Sequence, residues 1–303
     1  MYLLMEMQIK ITKENQAVAG VIEALLLVAL VAIVISIIQL QYIPQVMEQR
    51  EAEHMDEISN QFSTLKSMID TQALAGSIAT NAPLAHVAMS SMITLGSRAL
   101  PYFITAPSFG ELSIVENNNY KMELFPPTSP PSFPLTSIQF HADNSYFVDQ
   151  TYALEGGGII LNQSTGDPVM RADPSLSAAI VNDYEMKIHF YLPIIEGVTG
   201  KNVSDGIGKC FVRTNFSSND SYSYLVGTIE PSYEIRFFTS YLNAWNESLN
   251  RLLGDAIKQG YIQVFISQTP APHVKILPEQ NKLIDFEITV VKISAQIGPG
   301  WVI

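Results

Sequence analysis

Twenty consecutive residues without a charge, Ala24 to Ile43, constrain this chain more than any other feature. Thirteen of them are Leu, Ile or Val. Each of these favours the bilayer by roughly 0.3–0.6 kcal/mol, and Ser36, Gln39 and Gln41 offset only part of the sum. Twenty helical residues rise about 30 Å, the thickness of a bilayer's hydrocarbon. A removable secretory signal would have a shorter apolar core of about 7–15 residues, followed by small residues at a cleavage site. Here Tyr42, Ile43 and Pro44 lead instead into a charged helical pattern. The run therefore reads as one transmembrane helix. Lys10 and Lys13 precede it and only Arg50 follows closely, so the positive-inside rule puts the N-terminus in the cytoplasm and residues 45–303 outside a cell membrane crossed once. Glu23 stands at the front edge of the span, where a carboxylate must either lie at the interface or find a partner.

Beyond Pro44, Met55, Ile58, Phe62, Leu65, Ile69 and Gln72 recur at spacings of three and four, an amphipathic helical stripe. The two patterns predict one helix from about Ala17 to Ala73, bent near Pro44. Its outer half either projects as a stalk or packs on its own domain. His54 lies beside Glu51 and Glu53, but no second His is one turn away, so a solvated charged face is expected there rather than a metal site.

After residue 80 the helical period fades. Runs at 136–142, 146–154, 158–161, 186–192, 210–213, 222–228, 261–267 and 283–293 are rich in β-branched and aromatic residues. Loop signals separate them: the proline run within 126–134, the Gly156-Gly157-Gly158 triplet and the polar stretch Asn215–Ser221. Residues 116–134 read as a linker or surface loop. A helix of about five turns is expected from Phe238, Tyr241, Trp245, Leu249, Leu252 and Ala256, with Trp245 in the core. No long helices alternate with the strands, so an antiparallel sandwich or barrel is favoured over a doubly wound sheet.

The chain carries 17 basic and 29 acidic residues, a net charge of −12, which speaks against nucleic acid as a partner. Its single cysteine, Cys210, leaves no intrachain disulfide. No H-E-x-x-H, G-x-S-x-G or phosphate-loop motif occurs. Cys210 with His189 or His141 would be a nucleophile pair, and Asp143, Asp149 and Glu155 a carboxylate cluster. A buried thiol and a solvated strand face are the favoured readings. Five Asn-x-Ser sequons, at Asn162, Asn202, Asn215, Asn219 and Asn246, all lie beyond the span and are glycosylation candidates.

The segment Lys13-Glu-Asn-Gln-Ala-Val-Ala-Gly-Val-Ile-Glu23, running into the apolar helix, resembles the N-terminus of archaeal type IV pilin-like proteins with a class III signal peptide. Residues 44–68 and 93–114 resemble a group of uncharacterised euryarchaeal membrane-anchored proteins. That likeness rests on Glu51, Glu53 and His54, and on Leu95, Gly96, Pro101, Pro107, Gly110 and Leu112. The resemblance implies a charged leader removed by a prepilin-type peptidase within Asn15, Gln16, Ala17, Val18 and Ala19. It also implies a retained apolar helix that bundles in a filament, and an assembly role for Glu23 opposite a freed N-terminal amine. Gln16 and Glu23 are seven residues apart, whereas Ala19 and Glu23 have the four-residue separation common in such pilins.

The expected fold is α+β: a leader over 1–15, a transmembrane and stalk helix over 16–79, and a mostly antiparallel β-sandwich-like outer domain over 80–303 with one packed helix. Residues 80–303 are expected to fold alone as a soluble acidic domain. The resemblance makes the protein a non-catalytic structural or minor subunit of a type IV pilus-like filament. The alternative is a single-pass surface binding protein that never polymerises. Neither reading requires a cofactor or metal. Partners would be the membrane, the peptidase, and copies of itself or other pilins.

Overall fold

The computed structural model describes residues 2–78, 87–100, 106–125, 131–227 and 234–298, with side chains omitted for 2–18, 77 and 78. One helical rod opens the chain: α1 (Tyr2–Ile37), a π-helical turn (Ile38–Tyr42) and α2 (Ile43–Ile78). The helix does not stop at Pro44. That proline has no N–H, and its ring would clash with a carbonyl one turn earlier in a regular α-helix. The π turn lies immediately before it, and Ile43 N–H bonds to Ile38 O, one residue further back than usual. This widening lets the ladder pass the proline. Ser36 sends its hydroxyl to Ala32 O at 2.8 Å, so it leaves no unpaired donor in the apolar run.

The strands, numbered along the chain, form three sheets. The first has the order β1 (Met89–Thr94), β12 (Lys209–Gly227), β16 (Leu283–Ile297), β10 (Glu185–Gly197) and β9 (Leu176–Ile180). Its β10–β16 pair is parallel and its other pairs are antiparallel. The second sheet is wholly antiparallel: β11 (Val203–Gly206), β2 (Phe109–Val115), β5 (Ser137–Asp143), β6 (Gln150–Glu155), β7 (Gly158–Gln163) and β8 (Val169–Ala172). The third, also antiparallel, runs β14 (Ile262–Ser267), β15 (His273–Pro278), β13 (Glu234–Phe238), β3 (Lys121–Phe125) and β4 (Ser132–Pro134). The α+β expectation is met.

Several boundaries differ from the sequence reading. The stretch Asn215–Ser221, expected as a loop, lies inside the 19-residue β12, because ladder bonds to β16 outweigh its polar composition. The expected linker 116–134 contributes β3 and β4, with 126–130 outside the described residues. The five-turn helix is shorter and broken, as α3 (Leu242–Leu252) and α4 (Gly254–Lys258), and Phe238 belongs to β13.

Two apolar cores lie against opposite faces of the first sheet. In β16, Ile284, Phe286, Ile288 and Val290 enter one core, whereas Val291, Ile293, Ala295 and Ile297 enter the other. Successive side chains on a strand point to opposite faces, so neighbours Val290 and Val291 mark the handover. Strand β12 follows suit through a bulge. Its register shifts between Phe216 and Ser218, and the extra residue reverses parity. Cys210, Val212 and Phe216 thus face one core and Val226 the other. The first core joins this sheet to the third sheet and α3. Trp245 there is fully buried, stacked on Phe237 at 5.1 Å and edge-on to Phe190. The second core joins it to the second sheet and α2.

Of the two expectations for the outer half of the helix, packing on its own domain is the one the structure shows. Met55, Ile58, Phe62, Leu65, Met68 and Ile69 of α2 are all buried in the second core, and burial extends back to Met47 and Ile43. The apolar stripe found on its own domain the surface it had to cover, and burial of the helix begins near residue 43.

Candidate functional site

The exposed half of the rod is the first candidate. An 18-residue window of it has mean hydropathy 3.1 with none of it buried, long and apolar enough to cross a membrane. Ala19 and Glu23 are exposed and Glu23 has no partner among the described residues; the side chains of Asn15, Gln16, Ala17 and Val18 lie outside them.

The second candidate lies where α2 enters the domain. Glu51, expected on a solvated face, is fully buried. Its carboxylate accepts the backbone N–H groups of Ser145, Tyr146 and Phe147 at 3.1, 2.8 and 2.7 Å, closing the turn between β5 and β6. His54 is buried as well, edge-on to Phe140, and its Nε2 lies 2.8 Å from Thr94 O. A carbonyl only accepts, so Nε2 carries the proton. Nδ1 is buried with no partner. Burial is the largest influence on this ring and holds its pKa below the ordinary histidine value. Thr94 is claimed by α2 from every side. Its N–H donates to Gln61 Oε1 at 2.8 Å, and its hydroxyl donates to Glu57 at 3.0 Å and accepts from Gln61 Nε2 at 3.0 Å. One sequence signal could have found this latch. Met47, Glu51, His54, Ile58, Phe62, Leu65 and Ile69 are spaced 4, 3, 4, 4, 3 and 4, so Glu51 and His54 continue the buried stripe. Gln72 ends that stripe, bonded to Thr214 and to Val87 O.

Beside the latch is a solvent-open cleft of about 570 Å³, whose lining includes Val46, Gln49, Arg50, Glu53, His54, Glu57, Thr94, Arg98 and Lys209. Three chain segments distant in sequence build it, which hides it from any local pattern. Gly96 lines it as well, and both glycines of the resemblance are tightly packed. A Cβ at Gly96 would meet Ser108 O at 2.6 Å and Ile207 Cα at 2.7 Å, and one at Gly110 would collide with Leu95 O.

The other sequence candidates do not converge. Cys210 is buried in the second core, while His189 bonds Thr289 and His141 bonds Thr151. Asp149 accepts from Asn144 N at the turn after β5. Glu155, at the far end of β6, is fully buried. Its Oε1 accepts from Thr239 at 2.6 Å and Trp245 Nε1 at 2.8 Å, and Oε2 has no partner. Burial pushes its pKa up to about 7 against these two hydrogen bonds. No group of three or more metal-ligating side chains occurs among the described residues. Of the sequons, Asn202 and Asn215 have buried carboxamide oxygens, and Asn246 lies within α3. Asn162 is the penultimate residue of β7 and Asn219 lies in β12 beyond the bulge. Comparison with family models, curated proteins and solved structures finds no match to this chain.

Proposed function

We propose that this is a pilin-like cell-surface protein, a non-catalytic structural or minor subunit of a type IV pilus-like filament. One observation carries this reading: the rod is split between an apolar half exposed on all sides and a half locked into the domain. An exposed apolar helix in continuous ladder with a packed one transmits whatever its apolar half does to the whole head. In a bilayer that half is an anchor; in a bundle of like helices it is a filament core. The cytoplasmic N-terminus, the outward domain, peptidase processing within Asn15–Ala19 and glycosylation at the sequons belong to the same proposal.

Mass spectrometry of the native N-terminus tests it. The expected mature start lies between residues 16 and 19; an intact Met1, or a start beyond Pro44, removes the idea. Glu23→Ala sharpens the test. Paired with a freed amine in low dielectric, Glu23 would leave a stranded charge costing about 3–5 kcal/mol when removed. Co-purification with pilins should then fall while membrane insertion is kept, and assembly at wild-type level would make Glu23 merely interfacial. A second reading, a single-pass binding protein that never polymerises, is favoured by the cleft, since a filament core requires no such opening.

A further inference from the structure

We infer that the cleft beside the latch binds the phosphodiester headgroup of an anionic lipid in the leaflet on which the domain rests. This rests on α1 spanning a membrane. Three cations, Arg50, Arg98 and Lys209, line one opening, and among the described residues none has an ion-pair or hydrogen-bond partner. In a chain of net charge −12, three such cations in one place are not general surface chemistry. The carboxylates in the same cleft are already engaged, Glu53 by Gln49 and Glu57 by Gln61 and Thr94. Three positive against two negative charges leave one net positive charge, which a phosphodiester monoanion balances.

Position supplies the source of that phosphate. The apolar run ends at Ile43, and Ile43 is itself buried against the domain, so no spacer separates body from bilayer. At 1.5 Å per residue, Val46 at the cleft edge is about 6 Å beyond Tyr42, within a headgroup layer roughly 5–7 Å deep. Arg50 follows one turn later and is long enough to snorkel back. The volume, about 570 Å³, falls in the range of roughly 300–1,000 Å³ usual for small-molecule sites.

The test uses the full chain in neutral detergent, titrated separately with short-chain phosphatidylglycerol, phosphatidylcholine and inorganic phosphate, and read by native mass spectrometry. One phosphatidylglycerol per chain is expected, with phosphatidylcholine at least tenfold weaker and inorganic phosphate failing to displace the lipid. Each cation near a membrane surface is worth roughly a fivefold change in affinity, so Arg50→Gln, Arg98→Gln and Lys209→Gln together should weaken the lipid about a hundredfold. Glu53→Gln should tighten it by about fivefold. Should the triple variant fail to fold by circular dichroism, Lys209→Gln alone decides, with a fivefold loss expected. Equal binding of the two lipids, or undiminished binding by the variants, overturns the inference. Displacement by equimolar inorganic phosphate overturns the lipid source and leaves a soluble phosphate ligand. Release of the chain from membranes by alkaline carbonate would overturn only the anchor, because the detergent titration reads the cleft without it.

Discussion

The two halves of the rod are a controlled experiment within one helix. Residues 24–42 are apolar on every side and, among the described residues, exposed apart from half-buried Ile38; residues 43–76 are apolar on one stripe and bury it. A helix apolar all round needs a solvent other than water, or copies of itself, to cover it. A striped helix needs only one surface, and the domain supplies it. The difference shows that anchor and head share a backbone but not an energy source. In the proposed reading, the free energy of the apolar half would be spent in lipid. The stripe's six large buried side chains contribute on the order of 10–15 kcal/mol, as much as the whole net stability of a typical domain, about 5–15 kcal/mol.

Truncation breaks the comparison most severely. A chain beginning at Ile43 should unfold cooperatively in denaturant, whereas one beginning at residue 80 should lack a cooperative transition, because one wall of the second core has gone. Cooperative unfolding of the shorter chain would mean that the helix merely rests on the sheets. Next in size is a matched pair of substitutions. Phe62→Ala should cost about 3–5 kcal/mol, while Leu27→Ala should leave denaturant unfolding of the head within about 0.5 kcal/mol. Comparable effects from both would show that the halves are not separate.

Within the packed half, Glu51→Ala strands three backbone N–H groups and should cost about 2–4 kcal/mol. Glu53→Ala, two residues away and exposed, should cost almost nothing. The smallest contrast is between the two cores and is read by pH. Glu155 in the first core has its pKa raised from about 4.5 to about 7. The folded state therefore holds its proton more tightly than the unfolded one. This stabilisation is complete below about pH 4.5 and is lost as pH rises through about 7. Between pH 5 and 8 the head should lose about 2–3 kcal/mol from this group. Glu155→Gln should remove that slope in urea unfolding at several pH values; an unchanged slope would assign it to other groups.

How much of this could be read in the sequence depended on how local the signal was. The apolar run is continuous and the stripe is periodic, and both stood out. Trp245 was legible as core because it falls on a helical stripe. What covers α2 was not legible, since a stripe demands burial without naming the surface. Glu51 and His54 sit at stripe positions but are polar, and their charge outweighed their spacing. Asn215–Ser221 looked like a loop because its residues favour turns, yet β16 holds it in a ladder and the bulge there redirects its side chains. The hairpin turn at Gly156 and Gly157 was signalled by its glycines, which both have positive φ as a tight two-residue connection requires. Gly156 answers to a second demand as well, since a Cβ there would meet Trp245 at 2.9 Å. Glu155 and the cleft depend on segments far apart in the chain, and nothing local announces them.

The second core that α2 helps to close includes residues of β10, β12 and β16, and β16 leaves the ribosome roughly two hundred residues after α2. At about 5–20 residues per second, the newborn helix waits on the order of 10–40 s for its partner strands. If α1 spans a membrane as proposed, the span already inserted would hold the apolar stripe beside it throughout that interval. An amphipathic helix with no protein to cover it lies flat in the interface between headgroups and acyl chains. A bilayer that anchored the chain would then also be its first chaperone, sheltering the stripe until the last wall of the second core arrives.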